Sequence, residues 1–142
     1  MADLSVLIRL HQHELDEKRR ALAELYTAMA ELERQRRELE RAFEQEKENV
    51  HAQKAEVHFT FAHYAQEVSR RKADLEQREA KLEAEIEKAK HSLMETFSEL
   101  KKYEMTQEER ERVEAEERAF KESQEMDAIG LEGFRRKSSD EG

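Results

Sequence analysis

The chain contains no proline and its first glycine is Gly130, so 129 residues lack the two residue types that most often interrupt a helix. Charged side chains make up 43% of the sequence and hydrophobic ones 37%. This apolar content is enough to line one narrow helical face but too low to fill the core of a mixed sheet and helix domain. We therefore expect an all-α fold of long helices rather than a compact enzyme.

Two stretches of the chain carry apolar residues at steps of three, four or seven positions, which places each set on one helical face. The first apolar seam comprises Leu4, Ile8, Leu15, Leu22, Leu25, Met29, Leu32, Leu39, Phe43 and Val50, with Leu7 and Leu10 on its flank. The second comprises Val57, Phe61, Tyr64, Val68, Leu75, Leu82, Ile86, Ala89, Leu93, Phe97, Leu100 and Tyr103. Both seams are typical of a coiled coil.

The second seam mirrors the first about a point between residues 53 and 54. Residues whose numbers sum to 107 or 108 give ten apolar pairs: Val50 with Val57, Phe43 with Tyr64, Leu39 with Val68, Leu32 with Leu75, Leu25 with Leu82, Leu22 with Ile86, Leu15 with Leu93, Leu10 with Phe97, Leu7 with Leu100 and Leu4 with Tyr103. The polar Arg36 faces the polar Arg71 in the same scheme. The mirror predicts a two-helix antiparallel coiled-coil hairpin with the second helix longer.

We expect helix 1 over about 4–50, a turn over about 51–57, helix 2 over about 58–128 and a flexible tail over 130–142. The turn contains no glycine or proline, so an antiparallel homodimer of one unbroken helix satisfies the same mirror. A hairpin is favoured because Asn49 is the chain's single asparagine and Val57, Phe59, Thr60 and Phe61 are weak helix formers.

The second seam thins after Tyr103 to Val113 and Phe120, so helix 2 is expected to project past the start of helix 1. Residues 104–142 hold 13 acidic and 7 basic side chains. We expect a long acidic helix without an intramolecular mate to bind a protein partner. Near the turn, the aromatic residues allow two interpretations. Either Phe43, Phe61 and Tyr64 fill the seam while Phe59 packs under the turn, or Phe59, Tyr64 and Val68 leave an apolar docking patch at one end of the rod.

The sequence offers no support for catalysis, a cofactor or a metal. A glycine-rich phosphate loop is excluded over the first 129 residues, and the absence of cysteine removes any thiolate metal site. His51, His58 and His63 lack the four-residue spacing of a helical two-histidine site. The net charge of −9 argues against nucleic acid as the main partner. The longest early apolar run, Val6 to Ile8, is too short for a signal sequence or membrane span.

Four segments of the chain resemble the FliJ family of bacterial flagellar export proteins. They are Leu7-Ile8-Arg9-Leu10, the segment from Leu15 to Leu22 (LDEKRRAL), the segment from Phe97 to Glu104 (FSELKKYE), and Met126-Asp127 followed by Phe134-Arg135-Arg136. The resemblance extends over nearly the whole chain, including its length and its two-helix layout.

The resemblance implies a non-enzymatic cytoplasmic component of the flagellar type III export apparatus, associated peripherally with the inner membrane and without direct membrane insertion. Such a protein acts as a coiled-coil stalk that promotes assembly of the hexameric export ATPase, contacts the export gate membrane protein and escorts export chaperones. It implies an ATPase-facing end with Leu4, Leu7, Leu10, Leu100 and Tyr103, and gate contacts at Tyr64 and Val68. A generic structural scaffold or adaptor, possibly homodimeric by its seam, is the alternative.

Overall fold

The chain is an all-α helical hairpin of two long helices packed against each other, which confirms the predicted fold class. The computed structural model describes residues 3–51 and 55–141, with side chains over 3–51 and 58–140. Helix α1 runs over Ser5–Val50 and helix α2 over Ala55–Glu141. Three residues of the predicted turn, 52–54, and the side chain of Val57 lie outside the described residues, so the proposed pair of Val50 with Val57 is not described.

The chain divides into two units, to which both helices contribute. The hairpin unit comprises His13–Phe97, and the terminal unit comprises Met1–Gln12 together with Ser98–Gly142. In the hairpin unit, residues progressively later in α1 contact residues progressively earlier in α2. Lys18 meets Ser92, Arg36 meets Glu79, and Phe43 meets Tyr64. The two helices of this unit are therefore antiparallel.

The apolar core of the hairpin unit is one residue layer deep. Its buried hydrophobic side chains are Leu15, Val50, Val68, Leu75 and Ile86, with 5–8% of their surface exposed. All five belong to the apolar seams predicted from the sequence. The other seam residues with described side chains are only half-buried or, like Phe97, exposed, because two packed helices cover only one stripe of each other. Most of this unit's charged side chains can therefore stay in water.

Polar side chains interrupt the core of the hairpin unit. The ammonium group of Lys18 donates a hydrogen bond to the hydroxyl of Thr96, which is itself only 3% exposed. Arg36 Nε lies 3.3 Å from Glu79 Oε1, an otherwise unbonded buried oxygen. The prediction that Arg36 faces Arg71 is wrong. Arg71 is 65% exposed and pairs with Glu67 on its own helix, since a carboxylate on the facing helix attracts Arg36 whereas a second guanidinium repels it.

Helix α2 also ends later than the sequence predicts. It continues through Gly130 and Gly133 to Glu141, so the expected end near residue 128 is wrong. Neither glycine has a positive φ angle. An isolated glycine costs a helix only about 1 kcal/mol relative to alanine, and no proline follows to force an end. Arg136 pairs with Glu132 one turn earlier at 3.0 Å, which favours the helix locally.

Alanine at Gly130 and Gly133 is expected to stabilise the last four turns of α2. A Cβ atom at either position meets no atom within 4 Å, so the substitution introduces no steric clash. Each change favours the local helix by up to about 1 kcal/mol. Amide hydrogen exchange over residues 126–137 should slow in the double variant. Exchange in the hairpin unit is the internal control, and an unchanged rate over 126–137 would show that the glycines do not limit this helix.

Candidate functional site

The start of α1 is fixed to α2 by a small polar cluster in the terminal unit. The carboxylate of Asp3 accepts hydrogen bonds from the backbone N–H and the hydroxyl of Ser5, at 3.1 and 2.7 Å, and so caps the helix. The hydrogen bond from the Ser5 hydroxyl, followed by that from the Ser5 backbone, lowers the pKa of the Asp3 carboxyl. The side-chain oxygen of Gln107 accepts a hydrogen bond from the backbone N–H of Leu4 at 3.2 Å, and its side-chain nitrogen donates one to the Asp3 carboxylate at 3.1 Å. One glutamine therefore joins the α1 cap to α2.

His11 occupies the next level between the two helices of this unit. Its ring lies 4.9 Å from the Tyr103 ring, and its side chain is only 12% exposed. Nδ1 is 2.8 Å from the Leu7 carbonyl, which can only accept, so Nδ1 carries a proton. Nε2 faces Glu99 at 3.4 Å. The ring of Tyr103 thus packs against His11, and the backbone N–H of Leu4 is bonded to Gln107, about one helical turn further along α2.

Beyond Val113, α2 buries no described side chain. Every described side chain from Glu114 to Asp140 is exposed, and we call these residues the α2 extension. At about 1.5 Å per residue it is about 40 Å long. The sequence predicted an overhang of this kind, but the predicted overhang is shorter because its expected end is near residue 128. Its second half was missed because Gly130 and Gly133 were interpreted as a helix stop.

The α2 extension carries large apolar side chains in full contact with solvent. These are Phe120, Met126, Ile129, Leu131 and Phe134, with 59–72% of their surface exposed. Continuous helix places Phe134 on a helical face rather than in a frayed tail. The sequence signal that identifies this surface is the helical spacing of Phe120, Leu131 and Phe134. Because Phe120, Leu131 and Phe134 share one helical face, this face is a candidate surface for binding protein.

A second apolar surface lies in the hairpin unit near the end of α1. The rings of Phe43 and Phe61 stack with centroids 5.6 Å apart, and the Tyr64 ring lies 6.4 Å from Phe43. This agrees with the prediction that the three aromatics fill the seam. Phe59 does not pack under the turn, since its side chain is 81% exposed. Next to these rings lies an open groove of about 470 Å³ between the two helices. Leu39, Phe43, Ala65 and Val68 form its apolar lining.

The residues predicted to bind partners differ in their access to solvent. On the expected ATPase-facing surface, Leu7 and Leu10 are 39% and 52% exposed, so both present an apolar surface. Leu4 and Tyr103 are half-buried, whereas Leu100 is only 5% exposed and supports the packing of the two helices. Of the two expected gate contacts, Tyr64 is half-buried, while Val68 is 7% exposed and lies in the wall of the groove.

Many charged side chains on the surface pair with a neighbour on the same helix. Hydrogen bonds from Arg34 and Gln35 lower the pKa of the Glu31 carboxyl to about 2, and a hydrogen bond from Arg112 lowers that of Glu109. These groups are on the surface and their partners lie three or four residues away on the same helix. Within residues 3–51 and 55–141, no group of three or more acidic or histidine side chains is placed to hold a metal ion.

The described helices lack an apolar stretch long enough to cross a membrane. Comparisons with models of protein families, with curated proteins and with solved structures find no match to this chain. Two apolar surfaces are therefore the main candidates for binding a partner. They are the α2 extension and the groove lined by Leu39, Phe43, Ala65 and Val68. Leu7 and Leu10 are additional exposed apolar residues.

Proposed function

We propose that this chain is a non-enzymatic stalk of a bacterial flagellar type III export apparatus, which promotes assembly of the export ATPase ring and links the ring to the export gate. The observation that carries the proposal is the terminal unit. There, a helix of about 40 Å projects without a mate past the exposed Leu7 and Leu10. A pair of helices is narrow enough to enter the central opening of a ring, and a capped start of α1 keeps it stiff.

The four sequence segments that resemble the FliJ family give the same assignment. One of them, 7–10, directly precedes His11, a second, 97–104, contains the Tyr103 that His11 contacts, and a third includes Phe134 in the α2 extension. On this proposal the partners are the ATPase hexamer, the gate protein and export chaperones. Surface-exposed aliphatic side chains are suited to transient protein contacts, since they gain free energy by burial only when the partner is bound.

The purified chain is expected to raise both hexamer formation and ATP hydrolysis by the cognate flagellar ATPase. A variant with Leu7→Glu and Leu10→Glu should bind the ATPase about tenfold more weakly or worse, because charges replace apolar contacts. Met94→Glu is the matched control, since Met94 is 63% exposed and lies in the hairpin unit. Unchanged assembly and hydrolysis with the natural chain would reject the stalk.

A further inference from the structure

The exposed apolar residues of the α2 extension continue a coiled-coil pattern. Phe120, Leu131 and Phe134 fall in the series 113, 117, 120, 124, 127, 131 and 134, whose steps alternate between four and three. Such a series lies along one face of a helix that pairs with another helix. All three side chains are at least 59% exposed. This face of α2 is therefore suited to pack against another helix, and no described part of the chain covers it.

We infer that the α2 extension pairs in antiparallel orientation with the α2 extension of a second copy of this chain. In an antiparallel coiled coil, facing core residues have numbers with a constant sum. A sum of 251 places Phe120 opposite Leu131 and Phe134 opposite Glu117, so the apolar contact of this register is that of Phe120 with Leu131. The two-fold axis of the dimer repeats this apolar contact. The same register places Gln124 opposite Asp127, which gives the centre a pair of polar contacts and specifies the register.

The charges that flank this core are complementary in the same register. Glu114 lies opposite Arg135 of the second copy and Glu116 lies opposite Lys137 of the second copy, and the two-fold axis doubles both contacts. Glu116 also accepts a hydrogen bond from Arg112 of its own helix at 2.6 Å. Residues 114–127 hold six acidic and two basic side chains, whereas residues 128–140 hold two acidic and three basic. Antiparallel pairing thus brings the acidic half against the basic end.

Other arrangements place like charges together. A parallel pair in register brings Glu117 against Glu117 and Asp127 against Asp127. An antiparallel pair displaced by one heptad in one direction puts Asp127 opposite Glu117, and displacement in the other direction puts Lys121 beside Arg135. Like charges forced into contact between helices destabilise the pair. The sum of 251 is therefore the register that combines apolar contact with charge complementarity.

Sedimentation equilibrium of two charge-swapped full-length chains tests this pairing. One chain carries Arg135→Glu and Lys137→Glu, and the other carries Glu114→Lys and Glu116→Lys. Each variant alone places four like-charged contacts in its own dimer and should associate about a hundredfold more weakly than the natural chain. Their mixture restores all four attractive contacts, so it should recover a mass of twice 16.9 kDa at the concentration where the natural chain dimerises.

Glu122→Lys with Glu125→Lys is the matched control for the chain with Glu114→Lys and Glu116→Lys. It makes the same change in net charge, but at two exposed positions on the outer face of the pair. It should dimerise at least as well as the natural chain. The inference is overturned if the natural chain remains a monomer at millimolar concentration, or if the mixture associates no better than its separate components. Since only this chain is present, the result does not depend on the export function proposed above.

Discussion

Replacing Ile86 with alanine should lower the free energy of unfolding by about 2–4 kcal/mol, because it leaves a cavity in a core only one layer deep. Ile86 is 6% exposed and lies in the middle of the hairpin unit. A chain of this size has about 5–15 kcal/mol of total stability, and a narrow two-helix core belongs at the lower end of that range. The single substitution should therefore remove about half of the chain's stability and clearly lower its unfolding midpoint.

Urea denaturation followed by circular dichroism at 222 nm measures this change. Met94→Ala is the control, since Met94 lies eight residues later on the same helix and is 63% exposed, and its effect should stay within about 0.5 kcal/mol. The midpoint should also be independent of protein concentration if the hairpin unit forms within one chain. Equal effects of the two substitutions would show that the seam does not stabilise the fold.

The apolar pattern of the sequence was sufficient to predict the fold class and the helical face of each core residue. Leu15, Val68, Leu75 and Ile86 all lie in the predicted seams and all are buried. The mirror also predicted the contact between Phe43 and Tyr64. These successes have one physical cause: burial of apolar side chains dominates the free energy of packing, and its spacing is visible in the sequence.

Contacts of polar residues could not be derived from the mirror. Arg36 and His11 are long or ring-shaped side chains whose partners lie away from the residue directly opposite, at Glu79 and Tyr103. Charge attraction and ring packing decide such partners, and both act over several ångströms. The numerical symmetry of apolar positions contains no information about them.

The candidate surfaces were only partly predictable for a related reason. The sequence indicates an overhang, but a helix stop at the two glycines predicts a tail that includes Leu131 and Phe134, although helix-forming residues surround both glycines. A helix end depends on the sum of many small preferences rather than on one residue. Which exposed apolar residues bind a partner depends on the partner, a molecule that the sequence of this chain does not describe.

Proline at two exposed alanines of α2 should separate the role of the hairpin unit from that of the α2 extension. Ala84 lies within the hairpin unit and Ala119 within the α2 extension. Proline in a helix interior removes one backbone hydrogen bond and clashes with the preceding turn, at a cost of about 3 kcal/mol. Ala84→Pro should consequently lower the melting temperature strongly, because it disrupts helix packing on both sides of the substitution.

Ala119→Pro should leave the main melting transition nearly unchanged, since the described side chains around it make no contact with α1. On the stalk function proposed above, it should nevertheless abolish most stimulation of the flagellar ATPase, because a kink separates residues 120–140 of the α2 extension from the rest of the terminal unit. Ala119→Gly, which costs only about 1 kcal/mol and keeps the hydrogen bond, is the matched control and should retain most of the stimulation. If Ala119→Pro stimulates the ATPase as well as the natural chain does, a straight α2 extension has no part in that activity, and the stalk must act through Leu7 and Leu10 alone.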